Sequence, residues 1–120
     1  MLITLKLPFP PSVNTYYRNF RGRMVMGKNG RSFKDAVQEI VTMTQTPKFN
    51  DARLMAIITV FPPNKRKFDL DNRLKAIFDS LQDAGVFDDD EQFDKIEIAR
   101  GMIKSGGGCT IVIATLESEA

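Results

Sequence analysis

Apolar and polar residues alternate in three stretches of the chain, and this period of two predicts β-strands. The first stretch is Leu2–Leu7, which ends at the prolines that follow it. The other two, residues 94–103 and 109–116, flank a glycine run and are expected to pair as a hairpin. Residues 54–61 are almost all apolar, which predicts a strand in the middle of the sheet with both faces covered.

Two segments instead show the 3.6-residue spacing of amphipathic helices. In the first, Ser32 and Asp35 resemble a capping box, and apolar residues continue at helical spacing towards Pro47. The second begins at Asp69 or just after it and ends before Gly85. The order strand, helix, strand, helix, strand, strand predicts one α+β domain, a two-layer sandwich of about four strands in a mixed sheet with two helices.

Residues 12–29 form a polar, basic and aromatic segment that is long for a connection in a compact domain. We therefore expect this segment to fold as a short hairpin or to carry function. Its basic and aromatic side chains together suit phosphate contacts and base stacking in nucleic-acid binding. The interleaved residues are Arg18, Arg21 and Arg23 with Tyr16, Tyr17 and Phe20.

Charge is divided unevenly along a chain whose formal net charge is only +2. Residues 1–67 carry 12 Lys/Arg and 3 Asp/Glu, whereas residues 68–120 carry 5 and 12. Such asymmetry indicates a polyanionic partner for the basic part. A second basic cluster, Lys65, Arg66 and Lys67, leads directly into the acidic part. Either cluster alone could be a solvated loop, but the two together favour nucleic acid.

Composition limits the remaining possibilities. With 120 residues, of which 42% are hydrophobic, the chain forms one core. It has no histidine and a single cysteine, so an internal disulfide is excluded, Cys109 is expected to be buried, and a cytoplasmic setting is expected. No apolar run approaches the roughly 20 residues that span a bilayer, and the start lacks a signal peptide, so no membrane partner is expected. Residues 117–120 are expected to form a frayed tail.

Carboxylates concentrate at Asp69 and Asp71 and again at residues 88–91. Carboxylate oxygen is a preferred ligand of Mg²⁺, which fills its other positions with water and substrate phosphate. Residues two apart on a helix point about 200° away from each other, so Asp69 and Asp71 can share an ion only if one lies outside the helix. Lys75, one turn beyond Asp71, would face the same site and bind a phosphate. This pattern predicts a magnesium site for phosphate chemistry.

Each of these acidic groups also has a simpler interpretation. Asp69 could cap the helix, and Asp71 and Lys75 could form an ordinary surface ion pair. Residues 88–91 could be a solvated turn. Asp79 and Asp83 are expected to face water further along the helix, without a chemical role.

Taken together, the motifs resemble the RusA family of Holliday-junction resolvases, which occur in bacteria, prophages and phages. In the second half, the similarity rests on Asp69-Leu70-Asp71-Asn72, Lys75, Phe78-Asp79, Ala84-Gly85 and Asp89-Asp90 with Gln92. Near the N-terminus it rests on Pro10-Pro11-Ser12-Val13-Asn14, Tyr16-Tyr17-Arg18 and Arg21-Gly22-Arg23. The resemblance covers nearly the whole chain.

The resemblance implies a homodimeric, Mg²⁺-dependent endonuclease, with Mn²⁺ as a substitute ion and no organic cofactor. Such an enzyme resolves four-way DNA junctions by paired symmetric nicks, in DNA recombination and repair. By motif position, the metal-binding residues are Asp69, Asp71 and Asp90, with Asp89 as the neighbouring acid, and the catalytic lysine is Lys75. The expected DNA-binding residues are Asn14, Tyr17, Arg18, Arg21, Arg23, Lys65, Arg66 and Lys67.

One residue departs from the family pattern. Phe68 stands where the family usually has a basic residue, so Lys67 or Arg66 is expected to make its phosphate contact. Two other functions stay open at this point: a nucleic-acid-binding module without catalysis, and a metal-dependent nuclease for flaps or duplex DNA.

Overall fold

The computed structural model describes residues 1–116, without the side chain of residue 18. Its strands are β1 (Leu2–Leu7), β2 (Tyr17–Phe20), β3 (Arg23–Met26), β4 (Leu54–Phe61), β5 (Phe93–Arg100) and β6 (Gly108–Thr115). The helices are α1 (Val13–Tyr16), α2 (Lys28–Met43) and α3 (Leu74–Asp83). The main sheet has the order β1-β6-β4-β5, and β2 and β3 form a separate hairpin. The predicted α+β fold is confirmed, and so is the hairpin expected in residues 12–29.

The expected tail at residues 117–120 lies outside the described residues. No helix in the described part is long and apolar enough to cross a membrane.

The core lies between the helices and one face of the main sheet. Along β4, Leu54, Ala56 and Ile58 are buried, whereas Ile57 on the opposite face is 39% exposed. The strand lies between β6 and β5, which confirms its central position. The prediction that both its faces are covered is wrong, because the described helices pack on one side only and leave an open sheet face that also carries Leu2.

The predicted hairpin of the last two strands is also wrong. Both strands pair with β4, β5 in parallel and β6 antiparallel, so β4 lies between them. Their connection crosses the end of β4, where the Gly101 N–H donates to the Val60 carbonyl at 2.8 Å and the Lys104 N–H donates to the Pro62 carbonyl at 2.9 Å. Alternation identifies a strand but not its partner, and the parallel pairing of β4 with β5 uses α3 as its crossover.

The first long helix begins earlier than its sequence pattern predicts. α2 starts at Lys28 after Gly27, so Ser32 lies inside the helix and the predicted capping box is wrong. A Cβ atom on Gly30 would lie 2.4 Å from the carbonyl oxygen of Tyr16, so only glycine lets α2 approach α1 this closely. Because glycine disfavours helix formation in an isolated segment, local sequence obscured this first turn.

Candidate active site

The Asp69 and Asp71 pair lies where the chain leaves β4 and enters α3. Asp69 is exposed and precedes the first helical residues, whereas Asp71 begins a 3₁₀ turn, Asp71–Arg73, that leads into α3. This arrangement confirms that one of the two residues lies outside a regular helix. The alternative interpretation of Asp69 as a helix cap is wrong, because Leu70 occupies the cap position and no side chain makes a capping hydrogen bond there.

Lys75 lies in the first turn of α3 with about half of its side chain exposed. Its Nζ atom lies 3.4 Å from Asp79 Oδ1. Among the described residues it forms no ion pair with Asp71, so the surface pair considered from sequence is not made. The ammonium group is therefore anchored on one side by a carboxylate and open to solvent on the other, which leaves its remaining N–H donors available for a phosphate.

Asp79 was expected to face water, and this prediction is wrong. Its side chain is only 17% exposed, and it accepts a 2.6 Å hydrogen bond from the hydroxyl of Tyr17. Burial, and then the neighbouring Asp79, raise the pKa of Tyr17 above its ordinary value. Asp79 thus connects the catalytic lysine candidate to the β2–β3 hairpin. Asp83 does lie at the surface, where it pairs with Lys34 at 2.7 Å.

Residues 88–91 are exposed, as the interpretation of a solvated turn expects, but their backbone is held by a buried side chain. Gln92 is 4% exposed, and its Oε1 atom accepts hydrogen bonds from the N–H groups of Asp88 and Asp89, both at 2.8 Å. Its Nε2 atom donates to the carbonyls of Asn50 and Ala52 at 2.8 and 2.7 Å. The buried Gln92 amide therefore links the acidic run to residues 50 and 52, with its oxygen as acceptor and its nitrogen as donor.

The acidic run is capped and braced at two further points. Asp89 caps the 3₁₀ turn Asp90–Gln92, and its Oδ1 atom accepts a hydrogen bond from the Glu91 N–H at 2.9 Å. The guanidinium of Arg53 pairs with Glu91 at 3.1 Å and also with Asp94. These contacts fix the backbone around Asp90 before any ligand arrives.

Asp90 interacts with residues of α3. Its N–H donates to Gln82 Oε1 at 3.0 Å. Partial burial raises the pKa of Asp90, and so does Asp89, whereas the positive charge of Lys75 lowers it. The charges of Lys75 and Asp79 on α3 therefore act on Asp90 and its neighbour Asp89, which local sequence spacing could not show.

The three predicted metal ligands do not form one coordination site. The described residues contain no group of three or more acidic or thiol side chains that could hold a metal ion. Asp69 acts electrostatically on Arg73 instead. Mg²⁺ is nevertheless commonly held by one or two carboxylates together with water and substrate phosphate, and the oxygen donors present are of that kind. The metal assignment of Asp69, Asp71 and Asp90 stays a prediction.

The predicted DNA-binding residues occupy two surfaces. Asn14 on α1 and Arg21 and Arg23 around the β2–β3 turn are exposed, and Arg18 lies on β2. Lys65, Arg66 and Lys67 are exposed in the segment between β4 and Asp69.

The aromatic residues of the first surface have different roles. Phe20 is exposed beneath the Arg21 guanidinium, which lies 5.3 Å from its ring centroid. Tyr17 is half-buried, and its hydroxyl is occupied by Asp79. Tyr16 is fully buried, so its proposed part in base stacking is wrong.

Two arginines beside the acidic segment were not singled out from sequence. The Arg100 guanidinium carbon lies 4.1 Å from the Phe68 ring centroid, and that of Arg73 lies 5.3 Å from the same centroid. Arg100 ends β5 and Arg73 ends the 3₁₀ turn, so they are distant in sequence and lie in no common motif. The only local signal was an aromatic residue within an otherwise charged run.

Comparison with known proteins identifies the family of the chain. Residues 8–114 match the family Endodeoxyribonuclease RusA. The chain is 40% identical over 112 residues to a crossover junction endodeoxyribonuclease of Enterobacteria phage HK97, which covers 93% of each chain. It is 32% identical over 116 residues, 97% of each chain, to crossover junction endodeoxyribonuclease RusA of Escherichia coli strain K12. The chain therefore belongs to the RusA family of endodeoxyribonucleases.

Proposed function

We propose that this protein is an endodeoxyribonuclease that hydrolyses phosphodiester bonds in four-way DNA junctions. Its relatives of 40% and 32% identity are named crossover junction endodeoxyribonucleases and match it over nearly their full length. The observation that carries the proposal is the placement of Lys75. Its half-exposed ammonium group is anchored by Asp79 and lies in the electrostatic environment of Asp90.

Lys75 would act on the phosphate that is cleaved. An ammonium group has three donors and no acceptor, so it stabilises negative charge that develops on phosphoryl oxygens in the transition state. Asp79 keeps this group in place through its 3.4 Å contact. Because Asp79 also accepts the Tyr17 hydroxyl, the orientation of Lys75 depends on how the β2–β3 hairpin packs.

The carboxylates would hold the metal. Asp69, Asp71 and Asp90, with Asp89 beside them, supply the hard oxygen ligands that suit Mg²⁺ or Mn²⁺. When bound, such an ion supplies Lewis acidity and lowers the pKa of a coordinated water. Asp90 is presented by a backbone that Gln92 and Gln82 already fix, whereas Asp69 and Asp71 precede and begin α3 in an exposed segment.

The two basic surfaces would contact the DNA backbone. Contacts to phosphates do not read sequence, and each phosphate that is neutralised makes binding more sensitive to salt. Selectivity would then come mainly from the shape of the junction. Two symmetric nicks in a twofold substrate are matched by a twofold homodimer, which we include in the proposal, together with a role in DNA recombination and repair.

A cleavage assay on a synthetic four-way junction tests the function. We expect paired nicks at symmetric positions on two opposite strands in the presence of Mg²⁺ and none without it. Asp71→Asn is expected to abolish nicking while junction binding is retained. Parent protein that binds junctions but never nicks them would instead be a binding module.

Substrate shape needs its own control. The same labelled strand is placed in four-way, three-way, flap and linear duplex DNA. We expect the four-way junction to be cleaved fastest. Equal rates on linear duplex would contradict junction selectivity and leave a general metal-dependent nuclease.

A further inference from the structure

Arg73 is a half-buried guanidinium beside the acidic segment. Its guanidinium carbon lies 4.9 Å from the ring centroid of Phe9 and 5.3 Å from that of Phe68. Its Nη1 atom donates to the Pro10 carbonyl at 2.8 Å, whereas Nε is buried without an acceptor. No carboxylate among the described residues forms an ion pair with it.

This environment is unfavourable for a positive charge. Arginine stays protonated in proteins, and a charge removed from water without a counter-ion is costly. Contact with two aromatic faces offsets only part of that cost. Asp69 acts on Arg73 only through its charge and forms no ion pair with it, so an anionic ligand in contact with the guanidinium would supply a direct counter-charge.

A second guanidinium contacts the same ring. Arg100 lies at the end of β5, with its guanidinium carbon 4.1 Å from the Phe68 centroid, and its Nη2 atom donates to the Phe68 carbonyl at 2.9 Å. Its side chain is exposed and, like that of Arg73, forms no ion pair with a described carboxylate. Two like charges on one ring repel each other unless an anion lies near both.

Two cavities open beside these groups. One, of about 330 Å³, is lined by Arg73, Arg66 and Lys67, together with Asn64 and apolar residues. The other, of about 380 Å³, is lined by Arg100, Asp69 and the same basic residues. Arg66, Lys67 and Phe68 line both cavities, so the cavity of Arg73 adjoins that of Arg100, which also contains Asp69.

We propose that Arg73 and Arg100 together bind one DNA backbone phosphate next to the phosphate that is cleaved. This subsite rests on the nuclease function proposed above and is separate from Lys75. Planar guanidinium groups donate paired hydrogen bonds to phosphate oxygens, and Phe68 keeps the two groups at a fixed distance from its ring. The subsite would set the position of the strand relative to Asp69 without reading its sequence.

Salt dependence of DNA binding tests the subsite. Binding of a linear duplex and of a four-way junction is measured in EDTA, so that no cleavage occurs. The variants are Arg73→Gln, Arg100→Gln and the double variant. The control is Lys95→Gln, which removes one positive charge from an exposed position on β5.

We expect each single variant to bind both DNAs several-fold more weakly at low salt. Because the two residues share one phosphate, the double variant should lower the slope of log K against log salt by about 1 in total. Lys95→Gln should leave the slope unchanged. Slopes for all variants equal to that of the parent would overturn the subsite.

A structural role for Arg73 gives a different result. If Arg73 only holds the Phe9 and Phe68 rings, Arg73→Gln lowers the melting temperature and leaves the salt slope unchanged. Should Arg73→Gln fail to fold, the exposed Arg100→Gln decides, and an unchanged slope in that variant contradicts the proposal. Normal junction nicking by the parent with unchanged slopes removes only the subsite. Lowered slopes with a parent that never nicks remove only the nuclease function.

Discussion

The two acidic segments of the candidate active site are held in opposite ways. Residues 88–92 are fastened by four hydrogen bonds of Gln92, one of Gln82 and the Arg53 ion pairs. Residues 65–71 are exposed for most of their length, and the contacts that reach them include the Arg100 donation to the Phe68 carbonyl. One half of the site, the fixed half, is therefore held by many polar contacts, and the other, the adjustable half, is held by fewer of them and mainly through Phe68 and Leu70.

The described residues also contain no complete three-carboxylate cluster. Asp90 is already positioned near Lys75, whereas Asp69 and Asp71 lie on the less constrained side. We expect DNA and metal to order residues 65–71 against a fixed segment 88–92.

The largest effect is expected from the fixed half. Asp90→Asn should lower the rate of junction nicking by about 100-fold or more, because it removes charge that faces the reacting phosphate and its metal. Asp88→Asn makes the same change two residues away, at an exposed position. It is expected to keep nearly the parent rate in single-turnover assays. Equal losses in the two variants would show that net acidity, not Asp90 itself, is required.

The second effect concerns Gln92, whose hydrogen bonds hold the fixed half in place. Gln92→Ala removes four part-buried hydrogen bonds and the buried amide that makes them, so it should lower the free energy of unfolding by about 3 kcal/mol. Chemical denaturation measures the loss. The matched change Gln38→Ala, at an exposed position on α2, should stay within about 0.5 kcal/mol. A similarly small loss for Gln92→Ala would mean that the acidic run does not depend on its amide.

A third, smaller effect is expected in the adjustable half. Trypsin should cut after residues 65–67 faster than after Arg53 or Lys95, which lie beside the fixed segment. Junction DNA in EDTA should slow the cuts at residues 65–67 by roughly tenfold, because bound phosphates cover the segment. Mass spectrometry of the fragments over time gives both rates. Faster cleavage after Arg53 or Lys95 in the free protein would reverse the comparison.

The same contrast explains what could be predicted from sequence. Local periodicity was sufficient for β1 and for α3, because a buried face requires apolar residues at regular spacing. Motif position suggested a role for Asp90. Its interaction with Lys75 and Asp79 could not be predicted in this way, because it depends on how the turn packs against α3.

What local sequence could not show depends on contacts between distant residues. The partners of β5 and β6 are decided by the crossover through α3, and the start of α2 by the contact of Gly30 with Tyr16. Asp79 is buried by Tyr17, which lies 62 residues earlier in the chain. A helical pattern alone places Asp79 on a polar face and predicts exposure.

The smallest effect is expected from the ion pair of Arg53 with Asp94, beside the fixed half. Arg53 lowers the pKa of Asp94 in the folded protein through a hydrogen bond and its charge. A carboxyl group whose pKa is lower when folded stabilises the protein above its unfolded pKa of about 3.9, and this stabilisation is lost as pH falls through the folded pKa. Because the pair is exposed, Arg53→Gln should lower the melting temperature only slightly near neutral pH.

The difference between parent and Arg53→Gln should therefore begin to shrink below about pH 4 and disappear once the pH has fallen through the lower folded pKa of Asp94 in the parent. Melting curves between neutral pH and about pH 3 measure it. Lys6→Gln, at an exposed position on β1, controls for the loss of one positive charge and should show no such convergence. If the difference persisted at acid pH, Arg53 would stabilise the turn by packing or through its bond to the Glu91 carbonyl, and the fixed half would not depend on that ion pair.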